Sequence, residues 1–340
     1  MKNLFIFSFF AIIAACNNDQ ENKEQKMNYK SIGTIERFDA ALDDIISANA
    51  KPEIIADGFE WSEGPLWVEK YNMLLFSDVP MNTIYKWTEE KGKEVYLKPS
   101  GYTGTEPSLC KEPGSNGLIF DNKGNLVLCQ HGNRQMARMD APIDKPEAKF
   151  TTLADKYNGK RFSSPNDAVF NSAGELFFTD PPYGLQTQDD SDSKKEIPFN
   201  GVYKVKTNGE VILLVDSITR PNGIALMPGD NKLIVACSDV ATPNWYIFDV
   251  KGDSVTNGKI FYSASEEAKT MTGVPDGFKI DKNGNVFATG PGGVYIFNNG
   301  GKKLGLIRLD NATSNCALSP DEKTLYITND MFVLRVKLRD

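Results

Sequence analysis

The sequence predicts an all-β protein, a six-bladed β-propeller with a short N-terminal helix. Three observations carry that prediction. First, one unit recurs six times at spacings of roughly 40–55 residues, the period of propeller blades. Its best copy is SPNDAVFNSAGELFFTD at 164–180. Others are SNGLIFDNKGNLVLC (115–129), PNGIALMPGDNKLIVAC (221–237) and PDGFKIDKNGNVFAT (275–289), with weaker ones at 63–78 and 314–329. Second, each unit offers short apolar runs separated by turn residues, the pattern of antiparallel strands. Third, an isolated strand near the N-terminus, KPEIIADGF (51–59), has no neighbour of its own. Pairing Glu53 to Ala56 with the C-terminal run Phe332 to Leu338 would close the ring and leave no exposed edge.

Taken in order, the chain begins with Lys2, an apolar run from Leu4 to Ile13, and Ala14-Ala15-Cys16. That is a secretory signal, too short to span a bilayer. Residues 13–16 also resemble a bacterial lipobox, with Cys16 as the lipidated residue; an ordinary signal sequence beside a cysteine reads similarly. Residues 17–34 form a polar tether, whose first part, NNDQENKEQK, has no apolar anchor. The expectation is an exported body, lipid-anchored in the cell envelope. The propeller takes 35–340. Residues 35–50 place Phe38, Leu42, Ile45 and Ile46 at helical spacing, which predicts a helix outside the ring. Blades follow, the third broken by a long polar stretch from Gln186 to Phe199 that is expected to rim a pocket.

Composition narrows the function. Lys and Arg total 38 against 45 Asp and Glu, a net charge of −7, and no basic stripe marks a nucleic-acid surface. None of the five cysteines has the C-x-x-C spacing of a zinc site. A bond between Cys110 and Cys129 stays open. The one histidine, His131, must serve any serine-histidine or histidine-rich zinc chemistry. No Gly-x-Ser-x-Gly elbow, P-loop or dinucleotide fingerprint is present.

The repeat itself points elsewhere. Asn116-Gly117, Asn222-Gly223 and Asp276-Gly277 have a bland reading as hairpin turns. Yet these units carry separate turns a few residues later, at 121–124 and 281–284, as does the 166 unit at 171–174. The pairs, with Asn166-Asp167, therefore sit at the start of the inner strand, where a propeller faces its channel. Glu63, Asn166, Asn222 and Asp276 together offer two carboxylates and two amides, all oxygen donors. Hard divalent cations such as Ca²⁺ favour such a set. If the strand after Leu126 ends on the channel side, His131 and Arg134 reach a substrate there; a surface-loop histidine fits the pattern too. Asn116 and Tyr183 are expected on the pocket wall, binding hydroxyls.

At these residues the chain resembles the SMP-30/gluconolactonase/LRE-like family, its bacterial gluconolactonase branch in particular. The matching pieces include FEWSEGPLW (59–67), FSDVPMNTIYKW (76–87), GKRFSSPNDAVF (159–170), FFTDPPYG (177–184), RPNGIAL (220–226) and VPDGFKID (274–281). The resemblance implies a six-bladed propeller with one divalent ion held by Glu63, Asn166, Asn222 and Asp276. It also implies Asp276 as the proton donor and acceptor in hydrolysis of a sugar lactone. Other substrates, whether a different lactone, an ester or an organophosphate, fit the same fold and metal. So does a non-catalytic propeller that binds carbohydrate or protein.

Overall fold

The computed structural model describes residues 1, 29–106, 108 and 110–339. The signal sequence, Cys16 and most of the tether lie outside the described residues. The rest forms six antiparallel blade sheets, each meandering from an inner to an outer strand, and one small two-stranded sheet, Lys156–Tyr157 with Lys160–Arg161. Blade 1 comprises Ser62–Val68, Met73–Asp78, Thr83–Thr88 and Gly92–Leu97. Blade 2 comprises Ser115–Phe120, Leu126–Gln130, Gln135–Met139 and Phe150–Ala154. Blade 3 holds Ala168–Phe170, Leu176–Asp180, Gly201–Val205 and Val211–Val215. Blade 4 holds Pro221–Leu226, Lys232–Cys237, Asn244–Lys251 and Ser254–Ser263. Blade 5 runs through Phe278–Ile280, Val286–Gly290, Gly293–Phe297 and Lys303–Arg308. Blade 6 is Asn315–Leu318, Thr324–Asn329, Phe332–Lys337 and, from the other end of the chain, Pro52–Asp57.

That last pairing is antiparallel, with Glu53 opposite Arg335 and Pro52 opposite Val336. Arg335 reinforces it with a hydrogen bond to the Glu53 carboxylate at 2.9 Å. The ring thus closes through the expected pairing of Glu53 to Ala56 with the C-terminal strand.

The core is divided among the interfaces between blades. Six apolar clusters lie one to each interface, from Leu75, Leu118 and Leu128 between blades 1 and 2 to Phe76, Trp87 and Val333 between blades 6 and 1. The second and third strands of each blade bury one face against each neighbouring blade, which is why they read as near-continuous apolar runs. Hairpins between inner strands use the turns read from sequence. Asp121 accepts from the backbone of Lys123 and Asn125, both at 2.9 Å, and Asp281 repeats the arrangement with Asn283 and Asn285.

One expectation is corrected and one open question settled. Residues 35–50 are not a helix. Thr34–Arg37 adds a fifth strand to the outer edge of blade 5, pairing with Lys303–Arg308. Only Ala40–Asp44 is helical, a single 3₁₀ turn capped by Asp39. Leu42, Ile45 and Ile46 still bury themselves, against blades 5 and 6, while Phe38 is left half exposed. An edge carbonyl row satisfied by a strand outcompetes a marginal isolated helix. Cys110 and Cys129, whose pairing was open, are both free; Cys129, Cys237 and Cys316 are buried as small hydrophobes.

Candidate active site

Each inner strand starts at the centre of the ring, so the six equivalent positions face one another: Glu63, Asn116, Asn166, Asn222, Asp276 and Asn315. Close approach makes this possible. A Cβ on Gly223 would lie 2.2 Å from the Asp276 carbonyl oxygen, and one on Gly277 would lie 2.0 Å from the Asn315 side chain. Glycine is required there for space rather than for turning. Buried hydroxyls from the second strands then tie blade to blade. Ser77 donates to the Asn116 carbonyl (2.9 Å), Thr179 to that of Asn222 (2.7 Å), and Thr289 to that of Ser314 (2.9 Å). The functional side chains are therefore mounted on a rigid, satisfied frame.

At one end of the channel lies a cavity of 310 Å³. Glu63, Asn116, Asn166, Asn222 and Asp276 line it, with Tyr183. Trp61, Val240 and Val274 supply apolar wall; Glu112 and Ser238 add polar groups. Three buried oxygens on this wall have no hydrogen-bond partner: Asn116 Oδ1, Asn166 Oδ1 and Asp276 Oδ1. Two amide nitrogens of the set have partners. Asn222 Nδ2 donates to Ser238 Oγ at 2.9 Å, and Asn166 Nδ2 lies 3.5 Å from His131 Nε2. Orphaned oxygens are costly in a buried site unless a ligand meets them.

The charges tell the same story. Burial raises Glu63 to about 8, opposed by the Gly64 N–H that donates to Oε2 at 2.7 Å. Burial also pushes Asp276 well above the carboxylate range, helped by the charges of Glu63 and Asp167. Asp167 is raised by burial too, and Lys279, whose Nζ is 4.0 Å from Oδ2, opposes the rise. Glu63 and Asp167 thus share one ammonium and Asp276 adds a third buried carboxyl, a set that would carry an excess of negative charge suited to a divalent cation when ionised. Burial, then Asp276, raises the Tyr183 phenol, so it remains a neutral donor at physiological pH. Among the described residues, no group of three or more His, Cys, Asp or Glu is arranged to hold a metal. The cavity set differs in kind, because half of it is amide.

The remaining sequence-predicted residues lie elsewhere. His131 is fully buried and not on a surface loop, but it stands behind the wall, with Nδ1 3.5 Å from the Glu112 carboxylate. Arg134 does not line the cavity: its Nε donates to the Phe162 carbonyl at 2.6 Å. The stretch 186–199 packs beside the site, with Gln188 donating to Glu112 Oε1 at 2.9 Å. Three residues were missed. Asp167 stood in the polar pair itself, where four sister copies have glycine. Ser238 closes the second strand of blade 4. Glu112 lies on a connecting loop with no repeat to mark it.

A propeller with a polar, cation-suited cavity on its axis defines a class, and the comparisons narrow it. A model of the SMP-30/Gluconolactonase/LRE-like region matches residues 61–330. The chain is 38% identical over 332 residues to a gluconolactonase of Zymomonas mobilis, covering 96% of this chain and 92% of that protein. It is 27% identical to the diisopropyl-fluorophosphatase of Loligo vulgaris, over 69% and 79% of the two chains. The solved structure of a Xanthomonas campestris gluconolactonase superposes with a TM-score of 0.78 at 27% identity, covering 92% of this chain and 96% of that one. The chain belongs to the SMP-30/gluconolactonase/LRE-like family.

Proposed function

We propose that this protein is a lactonase that hydrolyses a sugar lactone of the glucono-1,5-lactone type, and that its cavity works with a divalent cation, Ca²⁺ by the chemistry of its donors. The observation that carries the reading is the set of unpartnered buried oxygens on Asn116, Asn166 and Asp276 around one cavity. The 38% identical gluconolactonase supports the substrate class. Glu63, Asn166, Asn222 and Asp276 would hold the ion, four donors that leave room for substrate and water in the six to eight oxygens Ca²⁺ takes. Bound there, it supplies Lewis-acid polarisation of a carbonyl and eases deprotonation of water.

The chain's own groups do the rest. Asp276 Oδ1, free of hydrogen bonds, accepts the proton of the attacking water and returns it to the ring oxygen as the acyl bond breaks. Tyr183, neutral and facing the cavity, donates to a substrate oxygen. Asn116 binds a hydroxyl, and Trp61 with the two valines covers the sugar face. His131 accepts from Asn166 Nδ2 and keeps that amide oxygen turned to the cavity. The N-terminal reading is part of the proposal: export, with a lipid on Cys16, tested by lipid labelling of the wild type and Cys16→Ala.

The test of function is acid release from glucono-1,5-lactone in a pH-stat, with the enzyme-free rate subtracted. The body starting near Met27 is assayed before and after chelation, then with Ca²⁺ restored. Activity lost and regained supports the reading. No rate above background in folded, Ca²⁺-supplied protein refutes it.

A further inference from the structure

Glu112 is the one carboxylate at the cavity that stands outside the ring of inner-strand positions. It lies on the loop between blades 1 and 2, four residues before Asn116, and is 22% exposed at its side chain. Its carboxylate is held from behind by Gln188. Oε1 accepts from Gln188 Nε2 at 2.9 Å, and that nitrogen also donates to the Tyr183 carbonyl at 3.1 Å. Oε2 stands 3.5 Å from His131 Nδ1. At that distance His131 Nδ1 makes no hydrogen bond to the carboxylate, so Oε2 keeps its lone pairs free. Among the described residues, no Lys or Arg lies within ion-pair distance of this carboxylate; His131 is its sole basic neighbour at that range.

An oriented carboxylate with spare lone pairs, bordering a cavity, is an acceptor waiting for donors. The Val240 and Val274 side chains on the facing wall offer none, and Glu112 accepts from no cavity residue. A polyhydroxylated ring offers several. We propose that Glu112 is a specificity-determining residue: it accepts hydrogen bonds from substrate hydroxyls and selects polyhydroxylated lactones over unsubstituted ones. The selection has two parts. A hydroxylated ring gains a charge-assisted hydrogen bond. An unsubstituted ring desolvates the carboxylate and gives nothing back, which is how a site built for hydroxyls rejects analogues lacking them. Gln188 is a positioning residue, since it aims the carboxylate and does not border the cavity itself.

This inference rests on the lactonase reading for its substrate, so the test separates the two. Steady-state rates are measured on glucono-1,5-lactone and on δ-valerolactone, for the wild type, Glu112→Ala and Glu112→Gln. Calorimetric binding of the non-hydrolysable glucono-1,5-lactam is measured on the same three proteins, each shown folded by circular dichroism. Glu112→Ala should lower kcat/KM on the sugar lactone by about 10- to 100-fold, the worth of one charge-assisted hydrogen bond, mainly through KM. It should leave δ-valerolactone unchanged or faster and weaken the lactam by a similar factor. Glu112→Gln should fall between. An equal loss on both lactones overturns the proposal, because Glu112 then acts on the reaction rather than on hydroxyls. Unchanged lactam affinity in Glu112→Ala, or no lactam binding by the wild type, also overturns it. Lactam binding that depends on Glu112, in a protein without turnover, upholds the hydroxyl site while the lactonase reading falls.

Discussion

Glu63→Gln removes one buried charge, and its effect should reverse with calcium. Burial moves the Glu63 carboxyl from 4.5 to about 8 in the cation-free fold. The native chain then binds this proton more tightly than the unfolded chain. As pH rises past about 4.5 the unfolded state releases its proton first, so native stability falls; the fall ends near pH 8, where the native state has also ionised. The slope is at most about 1.4 kcal/mol per pH unit, and the accumulated loss at pH 7 is about 3 kcal/mol. Glutamine does not titrate. In chelator, the variant should therefore match the wild type at pH 4.5 and exceed it by about 3 kcal/mol at pH 7. In Ca²⁺ the order should invert, because ligand binding stabilises only the chain that holds it. Urea unfolding followed by circular dichroism, from pH 4.5 to 8 with chelator or Ca²⁺, measures each quantity. A chelated wild type more stable than the variant at pH 7, or a difference that does not grow with pH, refutes the reasoning.

Other expectations follow from the frame. A Cβ at Gly223 meets the Asp276 carbonyl oxygen at 2.2 Å, so Gly223→Ala should cost about 1–3 kcal/mol and weaken Ca²⁺ binding, read by calorimetry. Lys204 is buried between blades 3 and 4, its Nζ on the Gly252 carbonyl at 3.0 Å and Asp253 at 2.5 Å. Lys204→Ala should cost about 3 kcal/mol in urea unfolding, and Lys204→Met less, because it restores the packed stem. A chain beginning at Ser62 lacks Pro52–Asp57 and leaves the outer edge of Phe332–Lys337 open. It should elute as aggregate on size exclusion rather than as a folded monomer.

Much of this was legible in the sequence for one reason: six copies of a unit must occupy equivalent places in a ring. The repeat placed the four-stranded blades and the inward positions from Glu63 to Asp276, and ring closure pointed to the pairing of Glu53–Ala56 with Phe332–Leu338. What stood outside the repeat was harder to read. Leu42, Ile45 and Ile46 have a helical period, yet the same residues bury equally well after a strand and one tight turn once an open blade edge is available. Phe38 completes that period but lies exposed. His131 and Arg134 follow the same strand, and only the fold shows that one backs the cavity wall while the other turns to Phe162. Asp167 was visible as a residue but not as a charge shared with Glu63 and Lys279, since that sharing joins three blades. Glu112 reaches the cavity from a loop, where no spacing rule points inward.

The central claim is that the axial oxygens form a single divalent-cation site. Isothermal titration of chelated protein with Ca²⁺ tests it most directly, beside Asn166→Ala and Asp276→Asn. The account predicts one ion per chain in the wild type and at least tenfold weaker binding in each variant. No binding in the wild type, or binding that neither variant changes, would contradict it.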